Sequence, residues 1–187
     1  MAQKRKDWNG LISGFKASDL VFLDESGCNT DMTRRYAYSL GGSRAVDSAP
    51  LSKPKNTTIL SSIQLDGTLR YTTFSGGTTV ERFKRYLETD LLPYLNGNSV
   101  LIMDNMKSHH AKAIKNLLDS SGIRYIYLPP YSPDLNSIEK LWSKVKAFLR
   151  KFKARTLDAL PNAIQNAFHS VTVSDCSGWF RFCGYVL

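Results

Sequence analysis

The chain has 187 residues, of which 42% are hydrophobic and 22% charged, a globular composition long enough to bury a core of its own. No apolar run approaches the ~18–20 residues of a membrane span, and no apolar segment follows the basic start MAQKRKDWNG to make a signal peptide. The expectation is a cytoplasmic protein with no membrane partner. Lys and Arg outnumber Asp and Glu by 25 to 16, a net charge of +9, which points to a polyanionic partner such as nucleic acid.

Residues 1–19 are polar and basic, a lead-in segment with a short helix, ahead of a single domain over 20–187. VFLDES (21–26) has the length and apolarity of a strand. The loop-rich stretch RRYAYSLGGSRAVDSAPLSKPK (34–55) is expected to contain another short strand. TTILSSIQLDGTLRYTTFSGG (57–77) reads as two strands joined at Asp66-Gly67, a strong hairpin signal. From Thr78 the period changes: Val80, Phe83, Leu87, Leu91 and Tyr94 share one helical face, which predicts an amphipathic helix over 78–92.

SVLIMD (99–104) is a second buried strand. Ser108 then begins a helix that turns Ala111, Ile114, Leu117 and Leu118 inward and ends at Gly122. RYIYLP (124–129) is a further strand, closed by the turn PPYSPD, and a long helix runs from Ser137 to about Lys153. A last helical region over 156–170 contains Pro161, which kinks it or delays its start. Three strands with antiparallel signals followed by helix, strand, helix, strand, helix make a mixed α/β sheet with helices on both faces. The two later strands should run parallel to their neighbours. Cys28, Cys176 and Cys183 are odd in number and at no metal-ligand spacing, so they are expected as reduced, buried thiols.

Two strands finish on an acid, Asp24 and Asp104, and a third acid, Glu139, opens the long helix. Ligand sites of α/β sheets gather at the carboxyl ends of neighbouring strands. Mg²⁺ takes oxygen ligands from a few carboxylates and from substrate phosphates, and paired ions drive phosphodiester displacement. Each acid also has a plainer reading. Asp24 or Asp104 can cap a strand-to-loop turn, and Glu139 can close a capping box with Asn136. Glu25, next to Asp24, should point to the opposite face of its strand.

On the long helix, Ile138, Leu141, Trp142, Val145, Phe148, Leu149 and Phe152 form one apolar stripe. Glu139, Ser143, Lys146 and Arg150 lie along one flank of it, an acid followed by cations, which suits a metal site continuing into a track for DNA phosphates. Residues 140–155 hold seven Lys or Arg and no acid. A solvated basic face accounts for Lys140 and Lys144, which lie elsewhere on the wheel.

LDES (23–26), MDNMKSHHAK (103–112) and LPPYSPDLNSIEKLWSKVK (128–146) closely resemble the DDE domain of mariner-like transposases, most closely the bacterial insertion-sequence branch. The 34 residues between Asp104 and Glu139 match the spacing of that branch. The resemblance runs from about Leu20 to RFCGY (181–185). It implies a ribonuclease-H-like fold and Mg²⁺-dependent cleavage and transfer of DNA strands at transposon ends, with Mn²⁺ as a substitute. Asp24, Asp104 and Glu139 are then the metal-binding catalytic triad. Lys146 and Arg150 are candidate DNA contacts from their place on the helix flank, not from the resemblance.

Asn105, His109 and His110 fall in the family's second motif, near the site, with a solvated helix N-terminus as the plainer reading of His110. Ser137 stands where the family usually has Pro, and Pro161 is less expected. The family's upstream helix-turn-helix has no counterpart in these residues. The expected partners are therefore transposon-end and target DNA, together with an upstream helix-turn-helix polypeptide or further copies of this chain. Two other readings stay open. One is a structure-selective nuclease on the same fold, against which the string PYSPDLNSIEKLW speaks. The other is a truncated remnant, active or not, that acts only as a non-specific DNA-binding protein or nuclease.

Overall fold

The computed structural model describes residues 2–34, 36–51 and 54–185. Among these residues five strands form one sheet: β1 (Leu20–Cys28), β2 (Thr57–Ile63), β3 (Leu69–Ser75), β4 (Val100–Met103) and β5 (Arg124–Tyr127). Their order across the sheet is β3-β2-β1-β4-β5. β1, β2 and β3 pair antiparallel, and β1, β4 and β5 pair parallel. Gly67, at φ 89°, makes the tight return between β2 and β3 possible, because that backbone region is costly for any residue with a Cβ. The Asp66 carboxylate accepts the Thr68 amide at 2.8 Å and closes the turn.

Side chains alternate along β1, and each set has its own cover of helices. Leu20 and Phe22 face a cluster built from α1 (Ala2–Ile12), α4 (Ile138–Phe152), α5 (Ala159–His169) and α6 (Val173–Phe182), with Trp8, Trp142 and Phe180 at its centre. Val21 and Leu23 face the second cluster, where α2 (Val80–Tyr86) and α3 (Lys112–Ser121) supply Phe83, Ile114 and Leu118. Burial of both faces is why β1 and β4 read as continuous apolar runs rather than alternating ones. The expected mixed sheet with helices on both faces is thus present. The lead-in helix α1 is docked on it through Trp8, which is buried.

Several elements differ from expectation, each for a physical reason. β1 does not stop at Asp24 but runs four residues further, because β2 continues to pair with it as far as Cys28↔Thr57. Among the described residues, 34–55 contain no strand; positions 35, 52 and 53 lie outside them. Both sides of β1 are already taken by β2 and β4, so that stretch has no ladder to join there. Its Tyr36, Tyr38, Leu40 and Leu51 stand in solvent.

The helix expected over 78–92 changes character after Tyr86, widening to i→i+5 bonding over Leu87–Leu91 and tightening over Leu92–Tyr94. The change of pitch carries Tyr94 off the buried stripe to 57% exposure, where the Arg70 guanidinium covers its ring at 3.2 Å. α3 begins at Lys112 rather than Ser108, after a turn over 107–110, and ends at Gly122 with φ 71° as expected. Pro161 sits in the first turn of α5, where its missing N–H is no loss.

α6 was not expected from periodicity, yet it opens with a complete capping box between Thr172 and Asp175. All three cysteines are buried and free. Burial pushes the thiols of Cys28 and Cys176 up to about 11, which leaves them protonated and unreactive at neutral pH.

Candidate active site

The parallel ladder between β1 and β4 ends at Leu23↔Met103. The next residue on each strand is an acid, so Asp24 and Asp104 stand side by side where one ladder stops. Helix α4 starts against the same place and presents Glu139 from its first turn. The three acids line one open cavity of about 540 Å³, whose far wall is the turn from Pro129 to Pro133.

Their surroundings differ sharply. Asp24 is 8% exposed. Its Oδ1 accepts the Glu25 amide at 2.7 Å, and its Oδ2 lies 3.4 Å from both Asn136 Nδ2 and Trp142 Nε1. Burial pushes the carboxyl up to about 7. The Glu25 amide opposes that shift, and the charges of Asp104, Glu25 and Glu139 add to it.

Asp104 is more open; its Oδ1 accepts the Met106 amide at 2.9 Å and pairs with His109 Nδ1 at 2.8 Å, while Nδ1 also lies 3.4 Å from the Asp104 carbonyl oxygen. Its burial alone would raise the carboxyl, but His109 and the Met106 amide outweigh it and hold it below the usual range. Glu139 is exposed, and no hydrogen bond engages its side chain among the described residues. The capping-box reading of Glu139 fails here. Ser137, not Asn136, is the residue before the helix, and no side chain caps its amides.

His109 is the buried member of the His109-His110 pair. It is fully enclosed, stacked on Phe83 at 4.3 Å, and its Nε2 lies 3.3 Å from Glu25 Oε1. Both ring nitrogens therefore face carboxylate oxygens, which accept and do not donate. Burial lowers the His109 pKa, yet the two acids outweigh it and push it up to about 9, so the ring is an imidazolium. Glu25 does point to the face opposite Asp24, as its position on β1 requires, but it also borders the cavity.

His110 is not a solvated helix N-terminus, because the helix starts later. It stacks on Tyr127 at 4.0 Å with Nε2 3.3 Å from Asn105 Oδ1. The Asn105 amide in turn donates to the Leu128 carbonyl, tying the end of β4 to the end of β5.

Lys146 and Arg150 lie further along α4 and line a second hollow of about 310 Å³ with Cys28, Asn29 and Asn56, past the end of β1. Lys140 and Lys144 are not a solvated face. Lys140 Nζ sits 3.6 Å over the Phe182 ring, and Lys144 pairs with Asp175 at 2.5 Å. The acids that balance this cationic helix come from elsewhere in the chain, Asp175 for Lys144 and Asp47 for Lys153. A search for acids within the helix itself cannot find them.

The donor set suits a hard divalent cation. Asp24, Asp104 and Glu139, with Glu25 beside them, border one open space, and among the described residues no Lys or Arg lines it. Their mutual repulsion raises the Asp24 carboxyl, a cost that a cation relieves. Among the described residues, no three His, Cys, Asp or Glu side chains are drawn together as a finished metal cage. That is compatible with Mg²⁺, which keeps several waters and takes one or two carboxylates plus substrate phosphates.

Residues 19–161 match a family described as DDE superfamily endonuclease. The chain belongs to that family. Among relatives of this DDE endonuclease domain, the Tc1 transposase of Caenorhabditis elegans is 27% identical over 97 residues, which are 50% of this chain and 36% of the Tc1 protein. The Mos1 transposase in its paired-end complex with the left transposon end superposes with a TM-score of 0.80 at 17% identity, covering 95% of this chain and 57% of that one. The isolated catalytic domain of Mos1 mariner transposase superposes at 0.73 and 15% identity, covering 96% of this chain and 85% of the domain. The DDE domain therefore has the ribonuclease-H-like fold of the Mos1 catalytic domain. It spans little more than a third of the Tc1 protein and just over half of the Mos1 chain in the paired-end complex. Among the described residues no helix is long and apolar enough to cross a membrane.

Proposed function

We propose that residues 20–187 are the catalytic domain of a mariner-like transposase of the bacterial insertion-sequence branch, which cuts DNA at transposon ends and joins it to target DNA. The observation that carries this reading is the convergence of Asp24, Asp104 and Glu139 on one cavity, from two adjacent parallel strand ends and one helix start. In this reading the three acids hold Mg²⁺, or Mn²⁺ in its place; Mos1 paired-end complexes with Mg and with Mn are the precedent. Bound there, the metal lowers the pKa of the attacking oxygen and stabilises the leaving one.

The chain's own residues set the stage for that step. Trp142 and Asn136 fix Asp24, His109 and the Met106 amide fix Asp104, and Glu139 borders the same cavity from the first turn of α4. In cleavage a water oxygen bonds to phosphorus as the P–O3′ bond breaks, freeing a 3′-hydroxyl. In transfer that hydroxyl attacks a target phosphodiester and displaces its 3′ oxygen. Lys146 and Arg150, about 10 and 16 Å along the helix from Glu139 at a rise of ~1.5 Å per residue, suit backbone phosphates beyond the scissile one. In this reading the partners are an upstream helix-turn-helix polypeptide, which reads the end sequences, or further copies of the chain, and the site of action is the bacterial nucleoid.

The test is nicking of supercoiled plasmid by the purified chain in Mg²⁺. Asp104→Asn and Glu139→Gln, each checked for folding by circular dichroism, should reduce it to background. Full nicking by Glu139→Gln would sink the triad.

A further inference from the structure

We propose that Glu25 and His109 form a positioning pair that fixes the Asp104 carboxylate for cation binding, Glu25 acting on Asp104 only through His109. The inference rests on the reading of Asp104 as a metal ligand, and deepens it.

Asp104 lies one residue past the last rung of β4, so no ladder holds it. Its side chain is 42% exposed. Both close contacts of its carboxylate, the Met106 amide at 2.9 Å and the ion pair with His109 Nδ1 at 2.8 Å, fall on Oδ1, and Nδ1 also lies 3.4 Å from the Asp104 carbonyl oxygen. Oδ2 is left without a partner among the described residues, on a side chain that borders the cavity. One oxygen is pinned and the other presented. Met106 and His109 both belong to the loop that carries Asp104, but His109 alone of the two is tied to elements outside it, Glu25 on β1, Phe83 on α2 and Tyr127 on β5. The His109 ring is fully buried against Phe83, and its backbone carbonyl accepts the Tyr127 hydroxyl at 2.9 Å.

Glu25 is aimed at His109 rather than at solvent. Its side chain is 7% exposed, and among the described residues His109 Nε2 is its one side-chain hydrogen-bond partner. Its second oxygen, Oε2, is buried with no hydrogen-bond partner among those residues. A carboxylate serving only the fold would cost less as an apolar residue of similar volume. What Glu25 does supply is a fixed acceptor on the rigid part of β1, where Glu25↔Leu60 still pairs with β2. It sets the rotation of the His109 ring, and so the direction from which Nδ1 meets Asp104. Outer partners that orient a metal ligand typically carry about 10- to 100-fold in metal affinity.

The experiment measures Mn²⁺ binding to the full chain without DNA, by the electron paramagnetic resonance signal of free Mn²⁺. Glu25→Ala should weaken binding about 10-fold or more. Glu25→Gln, which keeps an acceptor oxygen for Nε2, should stay within about threefold of wild type. In a His109→Ala background, Glu25→Ala should cost nothing further. If His109→Ala does not fold, His109→Gln takes its place as the background.

Unchanged affinity in Glu25→Ala overturns the proposal. So does a double variant that loses the full factor of each single one, since Glu25 would then act directly. Asp104→Asn is the reference. If it binds Mn²⁺ like wild type, the triad reading itself fails. If it binds weakly while Glu25→Ala binds normally, only the positioning pair fails.

Discussion

Replacing Asp24 by Asn tests the electrostatics of the site without DNA or catalysis. The folded chain holds this carboxyl at about 7 against 3.8 for a solvated aspartate. A folded-state pKa that is raised means the native state binds the proton more tightly than the unfolded chain. Stability from this group is therefore greatest below about pH 4, falls as pH rises from about 4 to 7, and is flat above. At about 1.4 kcal/mol per pH unit, ionising Asp24 costs the metal-free protein roughly 4 kcal/mol at pH 8.

Asparagine removes that cost but returns part of the gain. One side of its amide must meet a donor: either Trp142 Nε1 and Asn136 Nδ2, or the Glu25 amide. That mismatch costs about 1–3 kcal/mol. The net gain at pH 8 is then about 1–3 kcal/mol, or a Tm higher by roughly 2–10 °C for a domain of this size. The mismatch does not depend on pH, so the difference between the proteins should shrink by roughly 2–3 kcal/mol from pH 8 to pH 5. Differential scanning calorimetry in EDTA at both pH values reads it. Mg²⁺ should then stabilise wild type and not the variant. Parallel stability–pH curves for the two proteins would refute the reasoning.

Charge reversal at Lys146 and Arg150 together should weaken duplex binding and lower the log–log salt slope by about 2, since each phosphate contact contributes about 0.9. Fluorescence anisotropy over a salt series measures it. Reversal of Lys144 should instead lower Tm, because it breaks the pair with Asp175, and should change binding far less; equal effects on binding would leave only a diffuse positive field. Thr172→Ala should cost about 1 kcal/mol in urea unfolding by removing the cap of α6, and a loss near zero would mean that the end of the chain adds little to global stability.

The five strands and their directions were legible along the chain because each announces itself locally; their order across the sheet was not. Asp66-Gly67 demands a hairpin, and the apolar runs at 20–23 and 100–103 are strands covered on both faces. The two Asp residues were legible for a related reason: an acid directly after such a run is an exception that needs a site. What surrounds them was not. Trp142 belongs to the apolar stripe of α4 by any wheel, and only the packed structure turns its Nε1 toward Asp24. Two adjacent histidines look alike in sequence. Which one is buried depends on where α3 starts, and that was placed at Ser108 instead of Lys112. The Thr172-x-x-Asp175 box was a readable start signal for α6, missed because Cys176, Trp179 and Phe180 make a short and irregular stripe.

The sheet order accounts for the difference between the two aspartates. β1 is the strand at which pairing changes from antiparallel, with β2, to parallel, with β4. Its ladder with β4 ends at Leu23, while its ladder with β2 continues through Asp24↔Ser61 to Cys28. Asp24 is thus supported by backbone on one side and open on the other, so its position is set by the fold and side-chain donors need only trim it. Asp104 has left β4, and its loop is tied down by Asn105 to Leu128 at one end and by His109 to Glu25 and Tyr127 at the other. A carboxylate on a loop can hold a cation reproducibly only if an anchor outside the loop orients it. In this chain that anchor is Glu25 on the rigid part of β1, which holds the buried ring of His109, itself a loop residue, against Asp104.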